Sequence, residues 1–420
     1  MTTIAWFRRD LRLDANPILT DGSVVPLFVV DPRLPARGPR WDELVARLHG
    51  LDAQLVERGG RLRVEVGDPA DVVPRVASET RAERVAANAD VSDFARRRDR
   101  QVGAQVDLEL HWANHVHAPE RVLKPDGTPY RVFTPYHRTW QSIPNLIAET
   151  MYPSYSNEPG AGLPGLGSVA PTDSSDAWRR ATRWLDEGRY RYASERDRVD
   201  RSCTSEMSVD LKFGSLSASA MVAALDGGDP GSEALVRQLA WRDFWAQQMW
   251  HGLGKGADER PWRSDPVEFE AWSAGRTGIP IVDAAMRQLA LEGRMHGRLR
   301  MISASFLVKH LLIDWRSGEA HFREHLRDGD IAQNVGNWRW TAGVGPGSAP
   351  WHRVMNPVLQ ARRHDPEGDF VRRWLPELGG IEGADVHAPW ELPPDRRASI
   401  DYPEPLVDLS FGRQRALAAR

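Results

Sequence analysis

The spacing of apolar and polar positions changes character about midway along the chain. Residues 3–7, 24–30, 62–66 and 84–87 are short apolar or β-branched runs, the pattern of strands buried on both faces. Between those runs, residues 41–58 and 72–80 repeat their apolar positions at helical spacing. Strand alternating with helix predicts a parallel, Rossmann-like α/β sheet. The first strand leads into Arg8, Arg9 and Asp10, so a glycine-rich dinucleotide turn or a P-loop is excluded where either would stand.

From residue 151 to 176 proline, glycine and serine predominate, with turn signals at Glu158-Pro159-Gly160 and Leu163-Pro164-Gly165. This reads as an irregular linker. Beyond it, residues 234–250, 281–291, 299–315 and 319–326 recur at helical apolar spacing, which predicts a second, mainly α domain. A proline-rich, charged stretch, residues 389–405, lies near the C-terminus.

Composition narrows the class. At 420 residues the chain exceeds one ordinary core, in keeping with two domains. Hydrophobic residues make up 41% and charged residues 27%, and no run of about 18 uncharged apolar residues offers a membrane span. The first ten residues carry no secretory pattern, so a cytoplasmic protein is expected. Cys203 is the only cysteine, which excludes an intrachain disulfide and a cysteine-built zinc or iron–sulfur site. Net charge is −3, so any attraction to nucleic acid must come from a local basic face. The 17 tryptophans ask for an explanation, because an indole is large and its N–H needs a partner when buried.

Four stretches of the second half carry candidate chemistry. Tyr192, Thr204, Ser205 and Ser208 gather hydroxyls ahead of a predicted turn; hydroxyls at a helix start can cradle phosphate, and taken alone they read more simply as an N-cap. Arg294, His296, Arg298 and Arg300 precede the carboxylates of Asp328-Gly329-Asp330. These could pair across a cofactor, or be a solvated face and a turn or metal loop. Asn337-Trp338-Arg339-Trp340 sets two tryptophans two positions apart, which one helix face cannot bury together, so at least one is expected to meet a ligand or partner. Arg353, Arg362, Arg363, Arg372 and Arg373 stand among Trp351, His352, His364 and Trp374. That mixture suits a nucleic-acid surface and equally an arginine-rich solvated face.

In order and spacing the chain resembles the DNA photolyase and cryptochrome family. The resemblance is carried by Trp6-Phe7-Arg8-Arg9-Asp10-Leu11-Arg12, by Tyr130-Arg131-Val132-Phe133-Thr134-Pro135-Tyr136, and by Trp374-Leu375-Pro376-Glu377-Leu378. Its most specific part is Ile279-Pro280-Ile281-Val282-Asp283-Ala284-Ala285-Met286-Arg287-Gln288-Leu289, continuing from Arg298 to Trp315. It implies an α/β antenna domain over residues 1–130, a linker over 131–185 and an all-α FAD-binding domain over 186–410. FAD contacts are implied for Tyr192, Thr204, Ser205, Met207, Ser208, Arg242, Arg300, Asp328, Asp330 and Asn334. Met207 stands where the family usually has leucine, Arg300 and Asp328 match an ion pair beside the flavin, and the Asn334 amide would face flavin N5. Trp338, Trp315 and Trp262 fall at the positions of a tryptophan chain that passes electrons to photoexcited flavin, and with Asn334 they form the implied catalytic set. Gln238, Trp241, His296, Arg298, Met301 and Trp340 match the pocket for a pyrimidine dimer flipped out of the duplex.

The activity so implied is light-driven repair of cyclobutane pyrimidine dimers by electron transfer from photoexcited reduced FAD. UV-damaged DNA would be the partner of a monomer that needs no metal and no membrane. Two departures favour the alternative, a cryptochrome-like blue-light sensor. Gln238 stands where dimer-repairing members have glutamate, and Gly297 where they have asparagine. Glutamine donates a hydrogen bond but supplies no proton, so stabilisation of a lesion radical anion should weaken. Arg339 stands where glutamine is usual, and Val335 and Asn337 alter the run before Trp338. Ala95 lacks the glutamate of folate-binding relatives and Asp90 resembles the acidic position of deazaflavin-binding ones. A deazaflavin antenna is therefore expected over folate, with an empty pocket or a second flavin as alternatives.

Overall fold

The computed structural model describes residues 1–225, 228–253, 260–345, 347–348 and 350–419. Among these, strands β1 (Thr2–Phe7), β2 (Ser23–Val30), β3 (Arg63–Val66), β4 (Arg84–Asn88), β5 (Leu108–His111) and the two-residue β6 (Ser154–Tyr155) form one parallel sheet. Its order is β3-β2-β1-β4-β5, with β6 added to β2. The expected period of two is visible in β1. Ala5 and Phe7 join one apolar layer with Leu48, Leu51 and Leu55 of helix α1 (Pro39–Glu57). Ile4 and Trp6 join the other with Val73 and Val76 of α2 (Pro69–Thr80) and Val102 of α3 (Asp93–Gly103). Both faces are thus covered by helices, as a parallel sheet requires.

The stretch expected to be an irregular linker does part of the sheet's work. β3 pairs only with Leu27–Val30 of β2, and β6 takes the remaining edge at Ser23 and Val24. The chain then runs along β3, where Val64 donates to the Pro159 carbonyl and Ala161 donates back to Val64. An uncovered edge would have left these backbone groups without partners.

The described chain divides into two compact units: Met1–Tyr192 with Ser205–Gly252, and Ala193–Thr204 with Leu253–Arg420. The first therefore reaches well past the segments inferred from sequence. It also holds α4 (Phe133–Ser142), α5 (Ser174–Glu187), most of α6 (Arg189–Glu195), α7 (Ser208–Phe213), α8 (Ala218–Ala224) and α9 (Pro230–Trp250). What ties α9 into this unit is a buried carboxylate. Asp243 accepts from the Val116 and His117 backbone N–H groups and from the Trp140 indole at 2.9 Å. The Trp241 ring lies parallel to Phe133 with centroids 3.7 Å apart.

The second unit is helical: α10 (Pro266–Ser273), α11 (Pro280–Glu292), α12 (Gly297–Ser305), α13 (Trp315–His325), α14 (Ile331–Thr341), α15 (Pro357–His364), α16 (Asp369–Trp374), α17 (Pro394–Ala398) and α18 (Leu409–Ala418). The single helix expected over residues 299–315 is broken. A π turn, Phe306–His310, follows α12, and Leu312 adopts a left-handed φ of 57°. The Leu312 carbonyl accepts from Arg263 at 2.8 Å, and Asp314 caps α13 through the Arg316 N–H. Pairing with a distant segment thus pulls the chain out of the helix, and a capping aspartate restarts it. At the start of α11 the buried Asp283 accepts from Thr277 and Gly278 and from the Tyr402 hydroxyl, which pins the C-terminal segment to this helix.

Candidate functional site

In the second unit α14 places the residues matched to the flavin ring. Asp330 caps the helix, its carboxylate accepting from the Ala332 and Gln333 N–H groups. One turn on, Asn334 is buried, and its Nδ2 donates to the Glu319 backbone carbonyl and to Glu319 Oε1, each at 2.9 Å. The two amide hydrogens are thereby committed to α13, and the amide orientation follows: Oδ1 is the atom left to accept from a ligand. Burial pushes Glu319 above the usual carboxylate range, against Arg323 and the Asn334 bond, which lower it. Nothing in the sequence spacing marked Glu319, because its role depends on a helix-to-helix contact. The implied ion pair is present, with Arg300 donating to Asp328 at 2.8 Å and to the Met295 carbonyl at 2.9 Å. Among the described residues no cluster of His, Cys, Asp or Glu could hold a metal ion.

The tryptophans expected to carry electrons share the core of this unit. Trp338 is 2% exposed, with Phe322 at 5.0 Å and Trp272 at 6.2 Å between centroids. Its approach to α13 depends on Gly318, where an added Cβ would fall 2.2 Å from the Trp338 ring. Trp315 opens α13 in the same cluster and Trp262 packs against it. Of the two neighbouring tryptophans on α14, Trp338 is buried and Trp340 half-buried, as the helix spacing demanded.

The residues matched to the lesion pocket in this unit gather at the start of α12. His296 caps the helix, Nδ1 accepting from Arg298 N–H at 3.1 Å. Burial holds its imidazole down at about 4, so the ring is neutral at pH 7 and able to accept. Arg298 is drawn to Asp197 at 2.6 Å, with Met301 sulfur at 3.9 Å from its guanidinium. Gly297 is exposed, and a Cβ added there meets nothing within 4 Å.

In the first unit Gln238 and Trp241 lie half-buried on α9, Gln238 contacting only the Ala234 carbonyl at a long 3.5 Å among its hydrogen bonds. One Trp241 face is covered by Phe133, whose ring carries Arg237 at 4.9 Å. Arg242 donates to the Asn114 and Leu211 carbonyls, so it braces the backbone of this unit. Tyr192 is buried edge-on to Trp184, Met207 is buried at the start of α7, Ser205 is half-buried and Ser208 exposed. Thr204, the last residue of the second unit's insert, is half-buried. Hydroxyls, an arginine–carboxylate pair and an amide acceptor are the partners that phosphates, ribose and a ring N–H call for, so the residues present fit a flavin nucleotide. The arginine-rich stretch near the C-terminus is less uniform than its sequence suggested. Arg353, Arg362, Arg363 and Arg373 are exposed, whereas Trp351 and His364 are buried and Arg372 is bonded to Asp369 and three backbone carbonyls.

A sheet-bearing unit, a helical unit and a flavin-type residue set are a combination that known proteins share. Residues 235–420 match the family model for the FAD binding domain of DNA photolyase, and residues 3–154 that for DNA photolyase. The deoxyribodipyrimidine photo-lyase of Streptomyces griseus is 42% identical over 99% of this chain and 98% of its own length. That of Escherichia coli is 35% identical over 100% and 98%. Among solved structures, a class III photolyase from Agrobacterium tumefaciens is 33% identical with a TM-score of 0.92, covering all of this chain and 96% of that one. A Synechocystis cryptochrome is 26% identical with a TM-score of 0.89, covering 100% and 99%. The chain belongs to the DNA photolyase family.

Proposed function

We propose that this chain is a deoxyribodipyrimidine photo-lyase that repairs cyclobutane pyrimidine dimers in UV-damaged DNA under blue light, working as a cytoplasmic monomer. The observation that carries the reading is the lock of Asn334 by Glu319. An amide held with its oxygen outward accepts a hydrogen bond, and a ring nitrogen that carries a proton is its natural partner, which favours reduced over oxidised flavin. FAD, when bound, supplies the photoexcited electron that opens the cyclobutane ring and takes it back. The chain's own residues bind and orient. Tyr192, Thr204, Ser205 and Ser208 hold phosphate, Arg300 and Asp328 flank the ring system, and Trp262, Trp315 and Trp338 relay electrons inward. Trp241, Trp340 and Met301 wall the lesion pocket, and the Gln238 amide donates to a lesion carbonyl. For the antenna we favour a deazaflavin, supported by Asp90, which Arg9 holds at 2.9 Å beside the ends of β1 and β4. The sheet order reverses between those strands, where open α/β sheets bind ligands.

The second reading, a light sensor with little repair, rests on Gln238 and Gly297. An oligonucleotide with one thymine dimer, incubated with photoreduced protein in blue light and in darkness, separates the two. Thymines restored only in light establish repair; photoreduction without restored thymines establishes the sensor.

A further inference from the structure

Arg298 divides its guanidinium between a charged partner and a weak acceptor. Nη2 donates to Asp197 Oδ2 at 2.6 Å, Nη1 has the Met301 sulfur at 3.9 Å, and Nε is buried without a hydrogen-bond partner. A thioether accepts weakly, so one branch of the fork is pinned by the carboxylate while the other keeps its donors for a stronger acceptor. That second branch lies against Met301, a wall of the lesion pocket proposed above.

Asp197 is well placed to do the pinning. It lies in the loop after α6, where Val199 enters the core and donates to the His364 carbonyl at 3.0 Å, and Arg198 bonds both oxygens of Asp200. Burial raises the Asp197 carboxyl, but the bond from Arg298, with the charges of Arg298 and Arg196, holds it below the usual carboxylate range, so it is ionised at neutral pH. The pair is no buried strut. Its arginine and aspartate side chains are 21% and 43% exposed, and a pair so open to water stabilises a fold little. What it changes is the field that DNA meets. An unpaired arginine attracts every stretch of backbone phosphate, damaged or not. A carboxylate 2.6 Å away cancels most of that attraction at a distance, yet leaves at Nη1 a short-range donor that rewards only an acceptor brought up to it.

We propose that Asp197 is a specificity-determining residue, which hides the Arg298 charge from undamaged duplex and fixes the guanidinium so that its open donors serve an oxygen of the flipped-out pyrimidine dimer. This role rests on the lesion pocket proposed above.

Equilibrium binding of the FAD-loaded protein in darkness, to a duplex with one thymine dimer and to the same duplex undamaged, over a range of salt concentrations, tests it. Asp197→Asn keeps an acceptor oxygen for Nη2 and removes the charge. It should bind undamaged duplex about threefold or more tighter at low salt, with a salt slope steeper by about one. The dimer duplex should gain less, so that the ratio of the two affinities falls. Asp197→Glu should keep the wild-type slope. With Arg298→Gln present, Asp197→Asn should no longer steepen it. A wild-type slope and ratio in Asp197→Asn, or equal steepening in the double variant, overturns the proposal. Dimer affinity unchanged by Arg298→Gln would instead remove Arg298 from the lesion pocket.

Discussion

Three positions decide how the site should respond to substitution. At Gly297 the space for a Cβ is open and the backbone is not left-handed, so Gly297→Asn should fold without strain. With Gln238→Glu it should raise dimer repair by about tenfold or more, the usual scale of a restored polar contact to a developing charge. Turnover on a thymine-dimer oligonucleotide measures it, and no gain would mean that the pocket works through other contacts. Glu319 acts one step away, through the Asn334 amide. Glu319→Ala leaves only the backbone carbonyl to hold that amide, so it can turn an N–H group outward, and the photoreduced flavin should then reoxidise faster in air, as its absorption spectrum would report. An unchanged rate would remove Glu319 from the redox argument.

Among elements, the α13–α14 pair carries the tightest constraint, because the Trp338 ring occupies the space beside Gly318. Gly318→Ala should cost about 1–3 kcal/mol, as overpacking does, and slow photoreduction by an external donor. Thermal denaturation and steady illumination check the two halves. Much of the fold was legible in the sequence. The strands of the sheet centre show plainly as apolar runs, since both their faces are buried, and α9 shows by the helical spacing of its apolar positions. What escaped has local physical reasons. β5 has no fully buried side chain and so no apolar run, and β6 is two residues long, too short to show a period. The break after α12 depends on Arg263 binding the Leu312 carbonyl, a contact no window around residue 312 contains. In the site, Asn334 and the tryptophans were singled out only through the family resemblance, and their roles are proposals. Glu319 and Gly318 were not, because one orients and the other makes room for a residue on a neighbouring helix.

For the molecule as a whole, each unit contains a carboxyl whose burial is only partly offset by hydrogen bonds: Asp243 and Asp283, both raised to about 6. The folded state therefore holds these protons at a pH where the unfolded chain has released them, and stability falls as pH rises from about 4 through 6. Each unit should be more stable at pH 5.5 than at pH 7.5, by about 1 kcal/mol for each carboxyl. Calorimetry at the two values checks the sign, and Asp243→Asn should flatten the dependence of the first unit's transition only. Asp243 has another consequence, for how such chains can be recombined. The helix that bears it, with Gln238 and Trp241 on the same rod, belongs to the sheet-bearing unit although the sequence places it far downstream. Exchanging sheet-bearing halves between relatives by cutting in the loop before α5 would therefore strand the inserted half from its own last helix. A graft that carries residues 205–252 along with 1–192 keeps the inherited parts in register.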